Sequence, residues 1–69
     1  MTIGERINAA RKARGITIDE LAKKSYVSRN TIVSWIYYGR HPDIELLICV
    51  ADVLQMSLDE IVGRGDPRK

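Results

Sequence analysis

Residues 17–37 have the sequence TIDELAKKSYVSRNTIVSWIY, and this stretch decides the fold of the chain. Thr17, with Glu20 three positions later, is typical of a capping box, in which each side chain hydrogen-bonds the backbone N–H of the other residue. Ser28 stands directly before a second helical run, where its hydroxyl can accept a hydrogen bond from a first-turn amide. The stretch therefore predicts two short helices, over residues 18–24 and 29–37.

The short gap between these two predicted helices favours a sharp crossing. Leu21 and Ala22 are the expected inward residues of the first helix, and Ile32 and Trp35 are those of the second. Only about four residues separate the helices, too few for a side-by-side arrangement. The sequence therefore predicts a helix-turn-helix.

The outward face of the second helix carries side chains that suit the edges of DNA bases. This face is left over after the apolar residues turn inward, and it comprises Arg29, Asn30, Val33 and Ser34. Arg and Asn match guanine and adenine in the major groove, and a small apolar group such as Val33 can contact a thymine methyl group. The alternative is an ordinary solvated polar face.

The charge distribution favours the binding interpretation. The net charge is only +2, but residues 1–42 carry eight Lys or Arg and three acids, a net +5. Residues 43–69 carry three bases and six acids, a net −3. Positive charge therefore lies in the half that contains the helix-turn-helix, where a polyanion would bind. Chance clustering on a solvated surface is the alternative.

A further helix is predicted before the helix-turn-helix. Thr2 and Glu5 repeat the capping-box spacing, and Gly15 is expected to end the helix in a left-handed conformation. The expected buried stripe has helical spacing and consists of Ile3, Ile7 and Ala10.

Two more helices are predicted after it. One starts at Asp43 as N-cap and ends near Gln55, with a core stripe of Ile44, Leu47, Val50, Ala51 and Leu54. The other is short, with a capping box of Ser57 and Glu60 and a stop at Gly63. The longer helix is apolar on a second side as well. This favours a dimer contact over the alternative, in which one large core buries both sides. The predicted dimer interface consists of Leu46, Cys49, Val53 and Leu58.

These elements predict a compact, all-α, five-helix domain over residues 1–63, followed by a polar tail at 64–69. Sixty-nine residues make one domain. The ordered set of motifs resembles the phage repressor/Cro-like (XRE-type) helix-turn-helix family over residues 3–62. The matching motifs are Gly15-Ile16-Thr17, Leu21-Ala22, Val27-Ser28-Arg29-Asn30-Thr31-Ile32, Trp35, Pro42, Ala51-Asp52-Val53-Leu54 and Ser57-Leu58-Asp59-Glu60-Ile61.

The resemblance implies a lambda-repressor-like fold and a sequence-specific DNA-binding transcriptional regulator, expected to be a repressor, that acts as a homodimer. By this resemblance Arg29, Asn30 and Ser34 hold base-reading positions, and the loop after the recognition helix runs along the DNA backbone. The residues expected to contact phosphate are Arg11, Arg14, Ser28, Thr31, Tyr37, Tyr38, Arg40 and His41. For the two arginines the alternative role is to complement the helix dipole, and for the tyrosines it is packing.

Three positions depart from the family pattern. Ile18 stands where relatives usually have a Gln that anchors to a phosphate. Tyr26 takes a turn position where Gly is preferred, so the turn is either built differently or mildly strained. Ile36 replaces a Glu that in many relatives pairs with an Arg of the first helix. Arg11 is therefore either available for phosphate or paired elsewhere.

Other function classes find little support in the sequence. It shows no nucleophile–base pair, no metal-ligand spacing and no phosphate-cradling Gly loop, so we expect no enzyme, cofactor, metal or small-molecule substrate. A single cysteine and the lack of an apolar run of ~20 residues favour a cytoplasmic protein with no membrane contact. No signal-peptide pattern is seen at the start, which is consistent with a bacterial or phage origin. The expected partners are double-stranded DNA, a second copy of the chain and a regulatory protein. The runner-up function is a protein-interaction module, such as an antitoxin-like or adaptor protein on the same fold.

Overall fold

Five α-helices joined by short turns make up the computed structural model, which describes residues 2–63. The helices are α1 (Ile3–Ala13), α2 (Ile18–Ser25), α3 (Arg29–Tyr37), α4 (Ile44–Leu54) and α5 (Leu58–Val62). No strand occurs within the described range. The all-α, five-helix prediction is confirmed, and only α2 extends further than expected, by one residue.

The predicted polar tail at 64–69 lies outside the described residues. The longest helices have 11 residues, and between residues 2 and 63 no helix has the length and apolar content needed to cross a bilayer.

Local sequence signals set the helix starts, as predicted. At α2, the Thr17 hydroxyl accepts from the Glu20 N–H at 3.0 Å, and the Glu20 carboxylate accepts from the Thr17 N–H at 2.9 Å. The same reciprocal pair caps α1 and α5. After α1, Gly15 adopts a φ of 68°, and the Ile16 N–H turns back to the Arg11 carbonyl at 2.9 Å. These contacts satisfy backbone groups that a helix end leaves unpaired.

One core joins all five helices. α1 packs on α3 and α5, α2 packs on α3 and α4, and α4 packs on α5. The fully buried side chains are Ile7, Leu21, Ile32, Val50, Leu54 and Ile61. Trp35 is 3% exposed, so its large ring lies inside the core as predicted. The inward face of α3 is therefore committed to packing, which leaves its opposite face to solvent.

The prediction that Ile44 belongs to the core is wrong. Ile44 is 57% exposed, whereas Leu47 and Val50 on the same helix are buried. Ile44 is the first residue of α4, directly after the N-cap Asp43. Neighbouring elements cover this face of the helix only from Leu47 onward, so helical spacing alone overestimates the length of the buried stripe.

α1 and α3 approach so closely at Gly4 that no side chain fits there. A Cβ atom at this position would lie 1.8 Å from the Trp35 carbonyl oxygen and 2.9 Å from the Ile36 Cα. These are backbone atoms of α3, which cannot move aside as a side chain could. Gly4 therefore fixes how near α1 lies to the helix that presents Arg29 and Asn30.

We expect Gly4→Ala to lower the free energy of unfolding by about 1–3 kcal/mol, because the added methyl group overlaps α3 backbone. Helix propensity alone predicts the opposite sign, an increase of about 1 kcal/mol in the free energy of unfolding, because Ala favours a helix more than Gly does. Denaturant unfolding followed by Trp35 fluorescence measures the change. The control is Ala9→Gly at an exposed position of α1, which tests propensity without a clash. A Gly4→Ala midpoint at or above that of the wild type would contradict this packing.

Candidate nucleic-acid interface

Three residues, 26–28, form the turn that carries the chain from α2 to α3. Tyr26 adopts a left-handed conformation with φ 60° and ψ 28°, so the family turn is kept even though the residue is not Gly. Its side chain is 94% exposed, while Val27 is 3% exposed and enters the core. Ser28 then caps α3, its hydroxyl accepting from the Thr31 N–H at 3.1 Å. The turn is the strained version of the expected one, not a different one.

The outer face of α3 lies open to solvent at its first turn. Arg29 and Asn30 are exposed side by side, and Val33 and Ser34 are half-buried one turn later. The structure therefore brings the four predicted base-contacting residues onto one surface. Its most accessible part is the helix start, the end that enters the major groove first in helix-turn-helix proteins.

Several predicted contact residues already have partners within the chain. The Ser28 and Thr31 hydroxyl oxygens lie 2.7 Å apart, and the Ser34 hydroxyl donates to the Thr31 carbonyl at 2.6 Å. A hydroxyl has one proton and two acceptor sites, so these groups keep some capacity for an outside partner. Their predicted DNA contacts remain predictions.

Arg11 is paired within the chain. Its Nη1 donates to the Ile16 carbonyl at 3.2 Å, and its buried Nε has no hydrogen-bond partner among the described residues. Ile36 is buried and offers Arg11 no polar partner, so Arg11 bonds to backbone instead. This bond uses only Nη1, so the second terminal nitrogen keeps donors for an outside partner, and the phosphate contact of Arg11 stays a prediction.

Arg11 and Arg29 line the same surface depression, of about 260 Å³, at the start of α2. Thr17, Ile18 and Asp19 complete its lining. Arg14 lies elsewhere: its Nη1 donates to the Ala10 carbonyl at 3.2 Å, and it lines a second depression between α1 and α5. The two arginines that the sequence grouped as phosphate contacts therefore belong to different surfaces.

The loop after α3 is accessible along its length. Tyr37 is 60% exposed and Tyr38 is 76% exposed. Arg40 and His41 are also exposed. Most of each tyrosine side chain therefore lies in solvent, which favours the predicted phosphate contact over the packing alternative. The Tyr38 and Arg40 N–H groups both donate to the Ser34 carbonyl, which ties the loop to the end of α3.

The predicted dimer-interface residues divide into two groups. Leu46, Val53 and Leu58 are half-buried and pack against the core, whereas Cys49 is exposed. On α4, the large apolar side chains that are exposed are instead Ile44, at 57%, and Ile48, at 43%. Ile48 is not among the residues predicted from the sequence, although its spacing of four from Ile44 places both on one helix face. Contact of the four predicted residues with a second copy stays a prediction.

Asp19 is a second residue whose role was not predicted from the sequence. Its Oδ1 accepts a hydrogen bond from Arg29 Nε at 2.7 Å, which joins the start of α2 to the start of α3. No periodicity in the sequence indicates this contact, because the ten-residue separation brings the two side chains together only through the crossing of the helices.

One carboxyl group on α2 has a perturbed acidity. Hydrogen bonding from the Thr17 backbone N–H, followed by bonding to the Thr17 side chain, lowers the pKa of Glu20. A lowered pKa in the folded state means that the capping box stabilises the fold above the ordinary Glu pKa. This stabilisation is lost as the pH falls through the lowered value. The capping box therefore makes its full contribution to the stability of the fold near neutral pH.

Crossed α2 and α3 helices, an exposed polar first turn and a buried opposite face define a helix-turn-helix domain. A family model described as helix-turn-helix matches residues 7–61. The chain belongs to this family, which confirms the resemblance to phage repressor/Cro-like (XRE-type) domains.

Three relatives illustrate the family. The chain is 36% identical over 63 residues to the immunity repressor protein of Bacillus phage phi105, covering 91% of the chain and 44% of the relative. It is 29% identical over 63 residues to the HTH-type transcriptional activator BcrR of Enterococcus faecalis, covering 91% of the chain and 31% of the relative. It is 28% identical over 69 residues to the HTH-type transcriptional regulator ImmR of Bacillus subtilis, covering 100% of the chain and 54% of the relative.

The chain thus spans about half or less of the length of these relatives. No solved structure matches the chain significantly.

We expect Tyr26→Gly to raise the free energy of unfolding by up to about 1 kcal/mol, because Gly adopts left-handed backbone without the clash that a Cβ causes. The exposed ring has few contacts to lose. Tyr26→Ala is the matched control, since it removes the same ring and keeps the Cβ. Thermal or denaturant unfolding compares the three proteins, and equal stability of the Gly and Ala variants would contradict strain at this turn.

Proposed function

We propose that this chain is a sequence-specific DNA-binding transcriptional regulator that acts as a homodimer and inserts α3 into the major groove. The observation that carries the proposal is the joint exposure of Arg29 and Asn30 at the start of a helix whose opposite face is buried. The names of the relatives, which are transcriptional regulators and a repressor, support the regulatory role.

Base reading would come from the first two turns of α3. Asn30 can make the paired hydrogen bonds that recognise adenine, and the terminal nitrogens of Arg29 can donate to guanine O6 and N7. Val33 is half-buried and offers only its outer surface, which suffices for a thymine methyl group. Ser34 would contact a base through the acceptor sites that its bond to Thr31 leaves available.

Phosphate contacts would flank this surface. Tyr37, Tyr38, Arg40 and His41 lie in an exposed loop that begins where α3 ends. On the other side, Arg11 borders the depression that Arg29 also lines. Such contacts position a protein on the duplex without reading its sequence. The positive charge of the first forty-two residues favours the same orientation toward a polyanion.

Self-association would use the exposed apolar side chains of α4 and α5. Ile44 and Ile48 form one patch, and Val62 of α5 is 37% exposed. Two copies related by a two-fold axis would present their α3 helices to half-sites about 34 Å apart, one turn of DNA. Repression is the proposed outcome of binding, supported by the 36% identity to a phage immunity repressor.

A protein-interaction module is the second candidate, and the exposed Ile44–Ile48 patch is the observation that favours it. The dependence of binding affinity on salt concentration distinguishes the two functions. Binding that neutralises phosphates weakens steeply as salt rises, because counterions must be released. Binding through an apolar patch to a protein persists at high salt.

The base-reading role of Arg29 is tested by selecting a binding site from random oligonucleotides and measuring affinities for all its single-base variants. We expect Arg29→Ala to lose about 1–3 kcal/mol of binding free energy at one base pair, and with it the preference for that base pair, because one guanine contact disappears. Lys12→Ala, which removes an equal charge from an exposed position of α1, is the control and should leave base preferences unchanged. Uniform weakening by Arg29→Ala across all sites would reassign Arg29 to phosphate.

The proposed dimer is tested by sedimentation equilibrium without DNA. We expect the wild type to associate and Ile44→Glu to be monomeric, because two buried carboxylates would face each other across the two-fold axis. Folding should survive, since an acid is favourable in the first turn of a helix. Tyr38→Glu, which places the same charge at an exposed position of the loop after α3, serves as the control. A monomeric wild type, or a dimer that persists in Ile44→Glu, would exclude this interface.

A further inference from the structure

The ion pair between Asp19 and Arg29 uses one particular nitrogen of the guanidinium group. Oδ1 of Asp19 lies 2.7 Å from Nε of Arg29. The two terminal nitrogens of Arg29 have no hydrogen-bond partner among residues 2–63. A bidentate contact to guanine needs two N–H donors, and the terminal nitrogens carry four. Asp19 therefore binds the Nε side of the guanidinium group and leaves both terminal nitrogens available for such a contact.

The exposure of the pair shows that it does little for stability. The side chain of Arg29 is 58% exposed and that of Asp19 is 73% exposed. Ion pairs in this setting contribute little to folding, because water screens them and both side chains lose conformational freedom. That loss of freedom matters at an interface, because a side chain ordered in advance has less entropy to lose on binding.

We infer that Asp19 is a specificity-determining residue that positions Arg29 for one base pair. The inference rests on the proposed DNA-binding function. Asp19 belongs to the first turn of α2, where the Thr17 capping box fixes the backbone. It therefore provides a rigid anchor on one helix for the long side chain of the next.

The charge of Asp19 has a second consequence, opposite in sign. A carboxylate at this surface is repelled by every DNA phosphate, whatever the sequence. Asp19 therefore lowers affinity for all DNA while it raises discrimination at the base pair that Arg29 reads. A residue that acted only through folding, or only through charge, would not lower the affinity for all DNA while raising the discrimination at one base pair.

The test measures wild type, Asp19→Asn, Arg29→Ala and the double variant on the selected site, its single-base variants and unrelated DNA. We expect Asp19→Asn to reduce discrimination about tenfold at the base pair that Arg29→Ala identifies, since a good bidentate pair contributes about that factor or more. Binding to unrelated DNA should become severalfold tighter. The double variant should discriminate no worse than Arg29→Ala, and Asp19→Glu, which keeps the carboxylate, should restore part of the preference.

Asp59→Asn on α5 is the matched control, because it removes the same charge at an exposed site away from α3. It should leave every base preference unchanged. Unchanged preferences in Asp19→Asn, or a loss at a base pair that Arg29 does not read, would overturn the inference while leaving the DNA-binding proposal intact. A wild type that selects no sequence would instead overturn the DNA-binding proposal, and this inference with it.

Discussion

The turn between α2 and α3 is the constraint on which the rest of the structure depends. Tyr26 in a left-handed conformation reverses the chain, Val27 anchors the turn in the core, and Ser28 starts the next helix. Because only three residues separate the helices, α3 must cross α2. That crossing turns Ile32 and Trp35 inward and leaves Arg29 and Asn30 outside.

The remaining helices hold this crossed pair in place. α1 lies against α3 at Gly4, where backbone meets backbone, and α4 supports α2 from another side. Both contacts depend on small or well-fitted side chains, so the orientation of α3 is set by packing and not by its own propensity. A DNA interface built on such a helix would change little on binding, which would reduce the entropy lost in the complex.

The proposed interface would combine groups that attract any DNA with groups that select among sequences. The exposed tyrosines and basic residues after α3 would provide the first kind, and the exposed start of α3 would provide the second. Asp19, which pairs with Arg29, would oppose the general attraction at the place where selection is proposed to occur. A regulator must find one site among many competitors, so weakening all binding a little in exchange for discrimination is physically reasonable.

The sequence alone determined the helix starts, the helix-turn-helix, the buried roles of Leu21, Ile32 and Trp35, and the candidate outer face of α3. These follow from contacts within a few residues: caps, helical spacing and short turns. Tertiary structure alone decided that Ile44 is exposed, that Arg11 bonds to the Ile16 carbonyl, that Gly4 touches α3 and that Asp19 holds Arg29. These four depend on where separate helices end and cross, which spacing along one helix does not encode.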